Sequence, residues 1–347
     1  MRVGVLTFHR CINYGSYWQA RCLVEAIAAR GHDAVLLDHH SREVTSREWR
    51  YAFQPLTPER SSRADVAQYG RKLRKFLDAF RALPLSAPFD LDAPEGMPAV
   101  DLAVIGSDEV LNLSHPWYGG KPVFWGEGIA APRVVTYAAS FGNYAADFVE
   151  PQWADRLRDL DAISVRDDNS FGLVEGATGA GPAMVLDPVL QFPPDIAPAD
   201  EPAPYLLVYG HHIPDWFAAR VRDAARRRGW RTISVGYRND WADEQRLDAG
   251  PLDFAALVAG ASAVATTYFH GCVFALANGK PFVAAPSFYR WNKLRDLIAL
   301  LDAHRHLTFE DRPASEVDAA LDTPPQVGAR LAGLRTQSDA YLDRVLA

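Results

Sequence analysis

The chain has 347 residues, too many for one hydrophobic core of ordinary size, so we expect two domains of roughly 150–190 residues each. A formal net charge of −7 indicates no general affinity for nucleic acid, and 48% hydrophobic with 23% charged residues is typical of a globular protein. The three cysteines, Cys11, Cys22 and Cys272, form no C-x-x-C pair. This disfavours a disulfide framework or a zinc site and favours a reducing cytoplasm.

Neither a signal peptide nor a membrane span is predicted. Residues 3–8 have the pattern of a strand, and polar residues follow too soon for a secretory leader. The longest apolar stretch, 254–269, is interrupted by Gly260 and Ser262 and falls short of about 18 uninterrupted apolar residues. We therefore expect a cytoplasmic protein with no transmembrane segment.

Buried-type strands alternate with helical segments along most of the chain, which predicts an α/β fold with parallel sheets. The predicted strands are 3–8, 33–37, 101–105, 133–138, 162–165, 184–186, 205–209, 232–235 and 263–266, with a further strand after residue 280. The predicted helices are 16–30, 66–82, 153–160, 215–228, 252–261, 271–278 and 327–346.

A proline-rich segment at 192–204 has the composition of a linker and predicts the domain boundary. We expect an N-terminal Rossmann-like domain at 1–191, with an Arg-rich insertion at 40–97. A C-terminal Rossmann-like domain at 205–325 and a C-terminal helix at 326–347 complete the prediction, with the two domains facing each other across a cleft. The basic face of helix 66–82, which includes Arg71, Lys72, Arg74, Lys75 and Arg81, is predicted to be solvated. The insertion is where we expect acceptor selectivity, because it lies outside the regular sheet pattern.

Polar motifs follow five predicted strands in both halves of the chain. They are Asn13-Tyr14-Gly15, Gly106-Ser107-Asp108-Glu109, Ser140-Phe141-Gly142, Arg166 and His270. Ligands of parallel α/β sheets bind outside the carboxyl ends of the strands, so these motifs predict an active site.

Each candidate has a structural and a functional interpretation. His270 stands where a strand passes into a helix, whose free N–H groups and positive end suit an anion, but a structural histidine is the alternative. Arg166 either clamps a carboxylate or phosphate, or pairs with Asp167 or Asp168. Asp108 and Glu109 are either general bases or caps of a following helix. Neither G-x-G-x-x-G, G-x-S-x-G nor a metal-binding spacing is present.

Six motifs, in order, resemble the polysaccharide pyruvyl transferase family. They are Leu6-Thr7-Phe8 with Asn13-Tyr14-Gly15 and Gln19-Ala20, Val104 to Asn112, Tyr137 to Gly142, Ile163 to Arg166, Leu186-Asp187-Pro188, and Phe269-His270-Gly271. The resemblance implies a fold like that of GT-B glycosyltransferases and transfer of pyruvate from phosphoenolpyruvate to two sugar hydroxyls, giving a cyclic ketal. It also implies that His270 is the active-site histidine and that Arg166 holds the donor.

One position departs from the family pattern. Many members carry a donor-binding arginine two residues before the histidine, where this chain has Tyr268. Lys280, Arg290 or Lys293 could supply the missing charge, or Tyr268 could hydrogen-bond the phosphate. A GT-B glycosyltransferase that uses a nucleotide sugar and a non-catalytic relative remain alternative functions.

These considerations assign the residues to three roles, with no metal and with no cofactor besides phosphoenolpyruvate as donor substrate. The catalytic residues are His270, Asp108 and Glu109; the donor-binding residues are Arg166, Tyr268, Gly271 and Lys280; the acceptor-binding residues are Asn13, Tyr14, Gly15 and Ser140. The expected partners are phosphoenolpyruvate and a sugar or glycan, free or lipid-linked.

Overall fold

The structure is a computed structural model that describes residues 1–144, 147–287 and 291–347. Within it the chain forms two compact units. The first unit comprises Met1–Glu48, Phe80–Pro193 and Ala329–Ala347, and the second comprises Trp49–Ala79 and Pro194–Gly328. No helix among the described residues is long and apolar enough to cross a membrane.

The described strands are short, and those at the centre of each main sheet are largely buried runs of apolar residues. In chain order they are β1 (Arg2–Leu6), β2 (Asp33–Leu36), β3 (His39–His40), β4 (Phe89–Asp90), β5 (Leu102–Ile105), β6 (Val134–Thr136), β7 (Ser164–Val165), β8 (Ala183–Met184), β9 (Tyr205–Tyr209), β10 (Arg231–Val235), β11 (Glu244–Arg246), β12 (Ala263–Thr266) and β13 (Phe282–Ala284). Burial on both faces is expected of strands in a parallel sheet covered by helices.

Helices alternate with these strands. In chain order they are α1 (Tyr14–Ala29), α2 (Arg42–Phe53), α3 (Arg63–Arg81), α4 (Pro151–Arg158), α5 (Asp168–Thr178), α6 (Pro188–Gln191), α7 (Asp215–Arg227), α8 (Pro251–Gly260), α9 (Phe269–Ala277), α10 (Trp291–Leu301), α11 (Ala314–Asp322) and α12 (Gly328–Leu346). The predicted α/β class, with parallel sheets and a C-terminal helix, is confirmed.

The first unit is built on a parallel sheet with strand order β2-β1-β5-β6. Val3 pairs with Ala34 on one side and with Leu102 on the other. Two short parallel pairs, β3 with β4 and β7 with β8, lie outside this sheet. All four strands of the sheet run in the same direction, so the loops after them emerge at one edge, where the predicted site motifs lie.

The second unit is built on a five-stranded parallel sheet with order β11-β10-β9-β12-β13. The chain moves outward from β9 to β11, then returns to the other side of β9 with β12. This reversal is the topological switch point at which such sheets bind ligands. Loops after β9, β10 and β12 therefore emerge beside one another.

The unit boundaries differ from the predicted domain boundaries in two places. Residues 49–79 of the insertion belong to the second unit, where Asp65 pairs with Arg238 and Lys75 pairs with Asp253. From Ala329 onward the C-terminal helix belongs to the first unit, where the Tyr341 hydroxyl donates to the carbonyl of Thr136 at 2.7 Å. Both differences arise from tertiary contacts that local composition does not encode.

Candidate active site

In the first unit, Arg166 lies at the centre of a buried polar network. Its Nη1 donates to Asp187 Oδ2 at 2.8 Å and to Gln19 Oε1 at 2.7 Å, and its Nη2 lies 3.5 Å from Asp108 Oδ1. Burial alone lowers the pKa of Arg166, but the carboxylates of Asp187 and Asp108 outweigh it and raise the pKa. Its positive charge is already balanced by the neighbouring carboxylates of Asp187 and Asp108. This geometry favours a role in which Arg166 fixes the orientation of Asp108 over a role in which its guanidinium binds the donor.

Asp108, one of the two predicted catalytic carboxylates, is held in a fixed orientation. Its Oδ2 accepts a hydrogen bond from Ser16 Oγ at 2.6 Å, and its Oδ1 accepts one from the Glu109 amide at 2.9 Å. Its φ of 79° is unusual for a residue with a side chain, although aspartate tolerates it better than most. Backbone strain of this kind occurs at functional sites, where the surrounding contacts enforce it.

The position of the Glu109 carboxylate, the second of the two, depends on Gly142 in the loop after β6. Its Oε2 accepts from Asn112 Nδ2 at 2.7 Å, and a Cβ atom at Gly142 would lie 2.1 Å from that same Oε2. Gly142 also has a φ of 59°, which a side chain would strain. A side chain at residue 142 would therefore displace the Glu109 carboxylate from its present position.

The predicted acceptor residues have structural contacts of their own. Asn13 is exposed, and its Oδ1 caps α1 by accepting from the amide of Gly15 at 2.8 Å. Tyr14 and Gly15 are buried in the first turn of that helix. Ser140 is fully buried and donates to Asp167 Oδ2 at 2.6 Å. Burial raises the pKa of Asp167, whereas its hydrogen bonds with Ser140 and Ser170 act in the opposite direction.

In the second unit, the strand ends carry a cluster of aromatic rings. The Tyr268 ring packs edge-on against Tyr209 at 4.8 Å, Tyr237 at 5.5 Å and His211 at 5.6 Å between ring centroids. Tyr209 ends β9, and His211 and Tyr237 follow β9 and β10 closely. We call these four residues the aromatic cluster.

His270 lies in the first turn of α9, next to this cluster. Tyr268 is the N-cap residue, and its amide donates to Thr266 Oγ1 at 2.9 Å. A Cβ atom at Gly271 would lie 2.1 Å from Thr266 Oγ1, so glycine allows the helix start to pack on the end of β12. His270 is partly exposed and its ring contacts Phe269. A partly exposed imidazole at the positive end of a helix is accessible to an anionic ligand.

Lys72 of α3 also reaches this edge of the sheet. Its ammonium donates to the carbonyl of Gly236 at 3.1 Å and lies 4.8 Å from the centre of the Tyr237 ring. The residue is 6% exposed, so the prediction that Lys72 is solvated was wrong. Burial lowers the pKa of Lys72 to about 7.

Of the other predicted sources of positive charge, Lys280 lies away from His270. Lys280 follows α9 and precedes β13, and the neighbouring carbonyl of Pro281 accepts from the Val264 amide near the start of β12. Lys280 is therefore at the amino edge of the sheet, about 13 Å of helix away from His270, so the structure does not bring the two together. Lys293 lies in the first turn of α10, which follows β13, and Arg290 lies outside the described residues.

Sequence reasoning missed Lys72, His211 and Tyr237. The strands ending before His211 and Tyr237 were predicted, so the rule that identified His270 would have found these two residues as well. No local signal marks Lys72, because its burial depends on contacts more than 160 residues away in sequence.

Comparison with known proteins assigns the family. The family model of polysaccharide pyruvyl transferases matches residues 13–286, from the cap of α1 to beyond β13. The chain belongs to this family. It is a family of transferases, and the match includes every strand-end residue described above. No curated protein matches the chain significantly.

Solved structures with similar folds are distant from this pyruvyl transferase family member. A glycosyltransferase of Streptomyces sp. SF2575 in complex with thymidine diphosphate is 13% identical, with 98% of this chain and 96% of that chain covered and a TM-score of 0.48. The UDP-GlcNAc 2-epimerase of Neisseria meningitidis bound to UDP-GlcNAc is 10% identical, with 100% of both chains covered and a TM-score of 0.47. The glycosyltransferase SnogD of Streptomyces nogalater is 12% identical, with 100% of this chain and 99% of that chain covered and a TM-score of 0.42.

Proposed function

We propose that the chain transfers pyruvate from phosphoenolpyruvate to two hydroxyls of one sugar or glycan, forming a cyclic ketal and releasing phosphate. Membership of the pyruvyl transferase family is the observation that carries this proposal. It is supported by two held carboxylates, Asp108 and Glu109, and by the partly exposed His270 at a helix start.

The reaction requires three proton movements. A proton added to the donor's methylene carbon gives a methyl group and makes the adjacent carbon electrophilic. One sugar hydroxyl attacks this carbon, phosphate leaves, and a second hydroxyl closes the ketal, so that two hydroxyl protons are lost and one is taken up by carbon. In this proposal His270 delivers the proton to carbon, and Asp108 or Glu109 accepts hydroxyl protons.

The donor also needs positive charge, because it carries a carboxylate and a phosphate. In the second unit we assign this role to Lys72, assisted by the N-terminal end of α9. Lys72 reaches the carboxyl edge of the sheet at Gly236, and its ammonium lies over Tyr237, which packs on Tyr268. A lysine on another element would thus supply charge near the position where many relatives have arginine. Gly271 and Tyr268 stay assigned to the donor site, because both lie at the start of α9, where free backbone N–H groups suit an anion.

Incubation with phosphoenolpyruvate and a panel of neutral sugars and glycans tests the proposal. We expect phosphate release together with an acceptor mass gain of one pyruvic acid minus one water. Parallel reactions with UDP- and TDP-sugars in place of the donor test the glycosyltransferase alternative. Absence of phosphate release across the panel, with no calorimetric binding of phosphoenolpyruvate, would overturn the proposal.

A further inference from the structure

A cavity of about 600 Å³ lies at the carboxyl ends of β9 and β10 in the second unit. Its walls come from three segments, 56–65, 212–213 and 238–241. The last two directly follow His211 and Tyr237 of the aromatic cluster. The cavity is thus on the ligand-binding edge of the sheet, and part of the Arg-rich insertion forms one wall.

Hydrogen bonds hold these walls in place. Arg238 forms a bidentate ion pair with Asp65, one bond of which runs from Nε to Oδ2 at 2.7 Å, and thereby joins the insertion to the loop after β10. Asn239 Nδ2 donates to the carbonyl of Gly210 at 2.9 Å, which ties the loops after β9 and β10 together. A cavity whose walls are already joined loses little freedom when a ligand binds.

The charge of the lining disfavours an anionic ligand. Glu59, Asp65 and Asp240 bring three carboxylates, whereas Arg60 and Arg238 bring two guanidinium groups. Arg238 is engaged by both Asp65 and Asp240. The same ion pairs occupy Asp65 and Asp240, which leaves one carboxylate, Glu59, and one guanidinium, Arg60. A phosphate or nucleotide would therefore find no excess of positive charge in this lining, whereas a neutral ligand with many hydroxyls needs none.

The remaining lining offers the contacts that a sugar ring uses. Trp241 is partly buried with its ring packed against the core, and Ile213 adds apolar surface beside it. The C–H face of a sugar packs on such surfaces, and its hydroxyls pair with carboxylates and amides. The Ser61 hydroxyl, in the wall from the insertion, has no hydrogen-bond partner within the described part of the chain.

We propose that this cavity binds a neutral, hydroxyl-rich sugar of the acceptor, with Trp241 beneath the ring and with Asp240 and the insertion wall contacting its hydroxyls. The identity of this sugar as the acceptor rests on the proposed function. The binding of a neutral sugar in this cavity does not depend on the proposed function.

Direct binding in the absence of phosphoenolpyruvate tests the cavity. Saturation-transfer NMR and calorimetry would be run with neutral mono- and oligosaccharides, with sugar phosphates as the charged comparison. Trp241→Ala is expected to weaken binding of the neutral sugar about tenfold through lost ring contact. Trp230→Ala is the matched control, because Trp230 is also partly buried against the same core but precedes β10, at the opposite edge of the sheet. Trp230→Ala should bind the neutral sugar with the same affinity as the unmodified chain.

A second variant, Asp240→Asn, tests the cavity even if Trp241→Ala fails to fold. The Asp240 side chain is 83% exposed, so Asp240→Asn should leave the melting temperature unchanged while weakening sugar binding severalfold. Equal binding by all variants, or preferential binding of sugar phosphates, would overturn the cavity assignment.

The two proposals fail in different ways. If pyruvyl transfer occurs and Trp241→Ala leaves the acceptor KM unchanged, the cavity assignment falls and the function stands. If neutral sugars bind in a Trp241-dependent manner but no phosphate is released, the function falls and the cavity remains a sugar site.

Discussion

The strand ends of the two units carry polar side chains of different kinds. In the first unit the side chains of Arg166, Asp187, Asp108 and Ser16 hold one another through two hydrogen bonds and an ion pair, with little exposure. In the second unit aromatic rings pack edge-on, with His270 partly exposed beside them and Lys72 buried against one ring.

This contrast separates a network that fixes the orientation of Asp108 from groups whose charge or exposure suits contact with a ligand. A buried charge whose partners are already in place is costly to disturb, so the first network is suited to keeping Asp108 and its loop in one orientation. A partly exposed imidazole at a helix start is accessible to a ligand, and burial brings the pKa of Lys72 to about 7, so this lysine changes its charge near neutral pH.

The largest expected effect is on stability, at Arg166. Arg166→Met leaves Asp187 and Asp108 without their buried cation, and we expect the free energy of unfolding to fall by about 3–5 kcal/mol. Arg166→Lys keeps the charge but loses the planar guanidinium fork, so its free energy of unfolding should fall by less than that of Arg166→Met. Chemical denaturation followed by circular dichroism measures both.

Arg2→Met is the control for Arg166, because Arg2 forms an exposed ion pair with Asp33 at 3.7 Å. Its free energy of unfolding should fall by no more than about 1 kcal/mol. If instead Arg166→Lys keeps the unfolding free energy and raises only the KM for phosphoenolpyruvate, Arg166 is a donor ligand. The network would then not be a scaffold.

The next effect is on turnover, at His270. His270→Ala should lower kcat by at least about 100-fold with an unchanged melting temperature, because the proposed reaction takes its carbon-bound proton from this residue and the residue is not part of the core. Steady-state phosphate release measures it, with His304→Ala as control, since the His304 side chain is 67% exposed on a different segment. A normal kcat in His270→Ala would favour the structural interpretation of this histidine.

The fold class and the strand-end positions could be predicted because both depend on local pattern. Aliphatic runs such as Leu102–Ile105 predict buried parallel strands, and polar residues directly after them fall at one edge. This rule placed Asp108, Glu109 and His270 directly after predicted strands, and the structure has them there.

What could not be predicted depends on packing between distant segments. Lys280 is ten residues from His270 in sequence, yet α9 carries the chain to the opposite edge of the sheet. Lys72 has the same solvent-face pattern as Arg71 and Lys75, and only the docking of α3 beside Gly236 buries it. Ordered partners such as Asp187 and Gln19 around Arg166 likewise come together only in the fold.

The smallest expected effect is on donor affinity, at Lys72. Lys72→Met should raise the KM for phosphoenolpyruvate about tenfold with little change in kcat, because in the proposed function this charge binds the donor and takes no part in proton transfer. Since the pKa of Lys72 is about 7, the ammonium is lost as pH rises through that value, and the KM should rise with it. The matched variant is Lys72→Arg, which stays charged and should have a flatter KM profile above pH 7.

Stability gives an independent check of the same lysine. The unfolded Lys72 titrates near its ordinary value of 10.5, so between pH 7 and 10.5 the unfolded chain binds more protons and the free energy of unfolding should rise with pH. That rise should disappear in Lys72→Met, as denaturation at a series of pH values would measure. If the stability profile changes as expected while the KM for phosphoenolpyruvate does not, Lys72 is a buried structural lysine, and the donor's charge is met elsewhere in the second unit.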